Sequence, residues 1–93
     1  MIGSFRDEQT RRIFDGERVA RLDRSVYDRA RRRLQQLDAV SRIEDLYFPP
    51  SNRFHSLKGY NPTRYAIWIN DRWRISFEWS GDRAEDVFFE VYH

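Results

Sequence analysis

Two stretches of alternating side chains near the carboxy terminus restrict this chain more than anything else in it. Tyr65, Ile67 and Ile69 recur at every second position, and so do Trp73, Ile75, Phe77 and Trp79. Period-two alternation sends successive side chains to opposite faces of a strand, so each stretch has one apolar face to bury. Directly opposed residues of an antiparallel pair point the same way. Both stripes therefore reach one core only if the turn between them has an odd number of residues. The three residues Asn70, Asp71 and Arg72 satisfy this and set Ile69 opposite Trp73 and Ile67 opposite Ile75. A two-residue turn would place Ile67 against Arg74 and split the core. A third stretch, Val87 to Tyr92, buries Val87, Phe89 and Val91 by the same rule. Arg74, Ser76, Glu90 and Tyr92 then fall on the other face, beside Trp68.

The first half of the chain reads as helices. Asp7 to Phe14 has acids in its opening turn, favourable to the helix dipole, and Gly16 just past its end. Ser25 with Asp28 three residues on has the spacing of a capping box. Val26, Ala30, Leu34 and Leu37 then recur at steps of four and three, one helical stripe. Arg29, Arg31, Arg32 and Arg33 occupy the remaining faces, as solvated surface or as a partner-binding face. Residues 2–5 fit a short edge strand, and Pro49 and Pro50 open a loop through about Gly59. The expected fold is α+β, with N-terminal helices packed on one face of a small twisted antiparallel sheet. A length of 93 residues argues for a single domain over 1–93. There is no cysteine, and no apolar run approaches membrane-spanning length. The amino terminus is too short and too soon charged to be a signal peptide, so a cytoplasmic protein without membrane contact is expected.

The net charge of +2 hides an asymmetry. Residues 47–77 carry Arg53, Lys58, Arg64, Arg72 and Arg74 against the single acid Asp71, whereas residues 78–93 carry five acids against Arg83. A basic middle suits a polyanion, because Arg pairs with phosphate through two parallel hydrogen bonds; solvated surface charge is the alternative. The two histidines, His55 and His93, fall before the sheet and at the chain's end. RNA cleavage through the ribose 2′-hydroxyl needs a base for that proton, an acid for the leaving 5′-oxygen, and cations for the crowded phosphorane. His55, Lys58, Arg74, Tyr92 and His93 suit these tasks, and Trp68 could stack a base or lie covered by a helix. Each also has a structural explanation: a histidine bracing a loop, a frayed terminus, an Arg74–Glu90 surface pair. A metal site is not expected, since neither histidine has further ligands at suitable spacing. The residues alone leave a nuclease and a generic binding module both open.

A resemblance adds to this. The segment RFHSLKG, Arg53 to Gly59, resembles the R-x-x-x-L-K-G stretch of HigB toxins in the RelE/ParE superfamily, with a catalytic-type histidine at His55. YAIWINDRWRISFEW, Tyr65 to Trp79, is similar to that family's Y-x-I-x-I-N-x-x-W-R-I-x-F-x-W signature. Tyr92-His93 matches its D-Y-H ending; LYFPPSNR and the opening IGSF also fit. The resemblance implies a RelE-like fold and a toxin that cuts mRNA in the A site of the 70S ribosome, without metal or other cofactor. It implies catalytic roles for His55, Lys58, Arg74, Tyr92 and His93; Arg53, Arg64 and Arg72 of the basic middle, with Trp68 as a stacking ring, are the expected RNA contacts. The implied partner is a HigA-type helix-turn-helix antitoxin, through which alone the pair would bind operator DNA and repress its operon. One departure stands out: Val91 occupies the place of the family's Asp, so attenuated cleavage is expected. The rival is a non-catalytic toxin-fold binding module acting with its antitoxin in repression.

Overall fold

The structure is a computed structural model that describes residues 1–92. Two α-helices, α1 (Glu8–Asp15) and α2 (Arg24–Ala39), lead through 3-10 turns at Ile43–Tyr47 and Pro50–Asn52 into four strands. These are β1 (His55–Leu57), β2 (Arg64–Trp68), β3 (Trp73–Ser80) and β4 (Arg83–Val91), joined antiparallel in the order β1-β2-β3-β4. No described helix is long and apolar enough to cross a membrane.

The β2–β3 register follows the parity argument. Ile67 opposes Ile75, Tyr65 opposes Phe77, and the Ile69 amide donates to the Trp73 carbonyl at 3.1 Å across the Asn70–Arg72 turn. The Asn70 side chain shapes that turn by accepting from the amides of Arg72 and Trp73, both at 2.8 Å. Ile67, Ile69, Ile75, Phe77, Val87 and Phe89 form one buried cluster with Ala30, Leu34 and Leu37 of α2 and Ile13 of α1. The helices thus cover one face of the sheet. The other face is free of them.

Three local expectations are corrected. The cap of α2 is Asp23, which accepts from the Ser25 amide at 2.8 Å, two residues earlier than the Ser25–Asp28 pairing requires. Strand β1 occupies part of the expected loop, so the sheet has four strands rather than three. It pairs His55 with Ala66 and Leu57 with Arg64, and three residues are too few to show alternation. Strand β4 starts four residues before Val87, after a tight turn at Gly81 (φ 66°). Its register shifts between the Ser76–Phe88 and Glu78–Glu85 pairs, and Asp86 within the shift has φ 52°. One extra residue reverses parity. Ala84 therefore faces the core with Val87 and Phe89, and the polar residues 83–86 conceal the strand from pattern reading.

Residues 2–5 do meet an edge. Ile2 and Phe5 bridge in parallel to Ala84 and Val87 of β4. The cap of α1 completes this cover: Asp7 accepts from the Thr10 amide, and Thr10 Oγ1 accepts from the Phe89 amide at 3.0 Å. Amides of β4 that would face outward are thereby satisfied, which removes an aggregation-prone edge.

Candidate active site

Opposed residues share a face, so the pairings assemble the helix-free surface row by row. One row runs His55, Ala66, Ser76, Phe88; the next runs Trp68, Arg74, Glu90; on the other side lie Leu57, Arg64, Glu78 and Glu85. Ala66 and Ser76 are fully buried. These two small side chains are covered by their neighbours, and His55, Trp68 and Arg74 stand around them in the same and the next row. Backbone positions 55 and 74 are two strands and two residues apart, roughly 12 Å from ordinary sheet spacings.

His55 is exposed, and its Nδ1 lies 2.6 Å from the Arg53 carbonyl. A carbonyl only accepts, so Nδ1 donates and, in the neutral ring, the lone pair sits on Nε2. Arg53 turns the chain with φ 45° and lays its guanidinium 4.1 Å from the centre of the Trp68 ring. What half-covers Trp68 is therefore this cation, not a helix. The Arg74 guanidinium lies 5.0 Å from the Tyr92 ring, with its Nε 3.4 Å from Glu90 Oε2. Tyr92 is held in place by its amide, which donates to the Arg72 carbonyl at 2.9 Å. Burial keeps the Tyr92 hydroxyl protonated above the ordinary phenol range, while the positive charges of Arg74 and Arg53 pull the other way. Both guanidinium groups thus act on one phenol, which is a proton donor at neutral pH.

The fold accordingly gathers Arg53, Trp68, Arg74 and Tyr92, with His55 on the same face. Lys58 stands exposed in the turn after β1, beside Gly59 at φ 86°. His93 lies outside the described residues. One expected RNA contact, Arg64, is corrected, and a second, Arg72, lies apart from this group. Arg64 is only 2% exposed: it donates to Asp86 Oδ2 and the Asp86 carbonyl, both at 2.9 Å, and to Ser76 Oγ at 3.1 Å, and it pairs with Glu78 at 3.4 Å. Its charge is already spent. Arg72 is exposed, but its guanidinium lies 5.8 Å from Trp73, whose ring stacks on Phe89 of the core side at 4.3 Å. It sits with Arg21, Leu22 and Val26 along a cleft on the helix side. Sequence reading missed the Arg53–Trp68 stack and the Arg64–Ser76–Glu90 chain. The second was open to parity, which puts all three residues on one face; the first depends on a backbone turn that no pattern announces. Among the described residues no three His, Cys, Asp or Glu side chains are grouped to hold a metal ion.

Comparison with known proteins points one way. The family model described as the RelE-like toxin of type II toxin-antitoxin system HigB matches residues 3–93. Toxin HigB-1 of Vibrio cholerae serotype O1 is 33% identical over 93 residues, covering 99% of this chain and 98% of that protein. Endoribonuclease HigB of Proteus vulgaris is 28% identical over 93 residues, covering both chains completely. An uncharacterised protein of Haemophilus influenzae is 23% identical over 89 residues, with 95% and 88% covered.

Proposed function

Because the chain belongs to the RelE-like HigB toxin family of type II toxin–antitoxin systems, we propose that it is a ribosome-dependent endoribonuclease that cleaves mRNA in the A site and thereby stops translation. Membership makes an antitoxin its partner; we assign that role to a HigA-type helix-turn-helix protein. The arginine-rich surface of α2 is the contact, away from the open face of the sheet, and operator DNA is met only through that complex. The setting of this reaction is the cytoplasm.

The observation that carries the reading is the helix-free face of the sheet, where neighbouring rows set an imidazole, His55, on one side and a guanidinium and a phenol, Arg74 and Tyr92, on the other. In the proposed reaction the ribose 2′-oxygen attacks phosphorus, the P–O5′ bond breaks, and a cyclic phosphate and a free 5′-hydroxyl result. His55 Nε2 is oriented to accept the 2′-hydroxyl proton, because Nδ1 is committed to the Arg53 carbonyl. Arg74, with Lys58 from the turn after β1, offsets charge on the phosphorane. Tyr92 is a protonated donor on that side, and His93 joins it in supplying the leaving oxygen's proton. Arg53 stacked on Trp68 offers a flat cationic platform for a base or a neighbouring phosphate. No metal or other cofactor has a part in the proposal.

Val91 stands where the resemblance implies an Asp, and it pairs with Trp73 on the helix-facing side. We therefore propose that turnover is attenuated; a non-catalytic module that represses with its antitoxin is the second reading this residue favours. Programmed 70S ribosomes incubated with the purified protein decide between them. Mapped 5′ ends in the A-site codon that disappear with His55→Ala support cleavage. Intact mRNA at every protein concentration sinks it, and recovery of cleavage by Val91→Asp alone would assign the loss to that position.

A further inference from the structure

Glu90 is a carboxylate only 14% exposed, set in the row of Trp68 and Arg74 where the face is otherwise cationic. A half-neutralising acid beside the guanidinium meant for a phosphate weakens polyanion binding, so its presence there needs a reason. The hydrogen bonds supply one. Arg64 Nη2 donates to Ser76 Oγ at 3.1 Å, and a guanidinium cannot accept in return. The Ser76 hydroxyl must therefore turn its proton elsewhere, and its other partner is Glu90 Oε2. Arg64 is itself held by Asp86 and Glu78, and Ser76 is fully buried. One oxygen of Glu90 is thus pinned from the interior of the sheet surface, and that same oxygen forms an ion pair, not a hydrogen bond, with Arg74 Nε at 3.4 Å.

We propose that Glu90, anchored through Ser76 to Arg64, is a positioning residue that holds the Arg74 guanidinium against Tyr92, ready for the scissile phosphate. This rests on the nuclease reading above. An unrestrained Arg side chain spreads over many rotamers, and freezing it during the reaction subtracts from what its charge contributes. Between a fixed carboxylate on its Nε side and the Tyr92 ring 5.0 Å from its central carbon, the group is ordered before substrate arrives. The arrangement trades affinity for orientation. Loss of Glu90 is accordingly expected to slow the bonded step while leaving binding equal or tighter, a split that general damage to the fold does not produce.

The test is a double-mutant cycle on single-turnover cleavage of ribosome-bound mRNA at saturating protein, comparing the parent with Glu90→Ala, Arg74→Ala and the double variant. Glu90→Ala is expected to slow cleavage by about tenfold in the parent but by less than about twofold once Arg74 is gone, since coupled groups fail additivity. Glu90→Gln, which keeps an acceptor for Ser76 and removes the charge, repeats the cycle should the alanine variant fold poorly. Ser76→Ala, at a residue RNA cannot touch, should slow cleavage in the same direction by a few-fold. Equal losses in both backgrounds, or a parental rate in Glu90→Ala, would overturn the positioning role while leaving the nuclease intact. A parent protein that never cleaves removes both.

Discussion

Arg64 and Arg74 occupy the same face of the same sheet, two rows apart, and lead opposite lives. Arg64 is 2% exposed, with its donors directed at Asp86, Glu78 and Ser76. Arg74 has one carboxylate among the described residues, Glu90, and its flat side lies on Tyr92. The first end of the face is neutralised within itself, where Arg6 also donates to Asp86. The second collects Arg53, Arg74 and the Trp68 and Tyr92 rings, leaving positive charge facing outward. A guanidinium becomes a structural clamp or a binding group according to the carboxylates that reach it.

That contrast can be broken experimentally, and the largest effect is expected at Arg74. Arg74→Ala should cut single-turnover cleavage by a factor of about 10²–10³, as loss of one charge-stabilising donor does elsewhere. Cleavage retained within a few-fold would show that this end of the face is not the catalytic one. Arg64→Ala should do the reverse in kind. It strips Glu78 and Ser76 of a partner, leaves Asp86 to Arg6 alone, and is expected to cost about 3 kcal/mol, read as a melting temperature lower by roughly 15 °C. A melting temperature unmoved by the substitution would refute the clamp.

Acid sharpens the comparison further. The Asp86 carboxyl is held below its ordinary pKa of 3.8, first by the hydrogen bond from Arg6 and also by the nearby Arg64 charge, against the opposing effect of burial. A depressed folded-state value means that its contribution is fully present above the ordinary carboxylate range and is lost as pH falls through the lower value. Denaturant midpoints measured from pH 6 down to pH 2 should therefore fall less steeply in Asp86→Asn than in the parent; parallel curves would show that the group is not linked to folding. The smallest effect belongs to Arg53. If it touches the RNA backbone, Arg53→Ala should lower the slope of log affinity against log salt by about 0.7, and an unchanged slope would confine it to bracing Trp68.

Much of this face was legible before any coordinates. The odd turn set Ile67 against Ile75, and the same counting put Trp68, Arg74, Glu90 and Ser76 together. The spacing of Ala30, Leu34 and Leu37 identified the buried stripe of α2. Strand β1 escaped because His55-Ser56-Leu57 is too short to carry a period. Arg64 and Arg72 were both counted with the RNA-binding basics, since a charge count cannot see a partner. The one is consumed by Asp86 across the register shift of β4, and the other leans over Trp73 toward the helices.

Side-chain direction along a strand is a local property, fixed by the alternation of the backbone itself, and so the amino-acid order alone assigned the buried and open faces here. Which charges remain available is not local. It depended on the left-handed turns at Arg53 and Asp86, which bring a cation onto Trp68 and a carboxylate onto Arg64 from positions 15 and 22 residues away. Only the folded chain decides such meetings, because the energy of a charge is set by whatever is packed within a few ångströms of it, however distant in sequence.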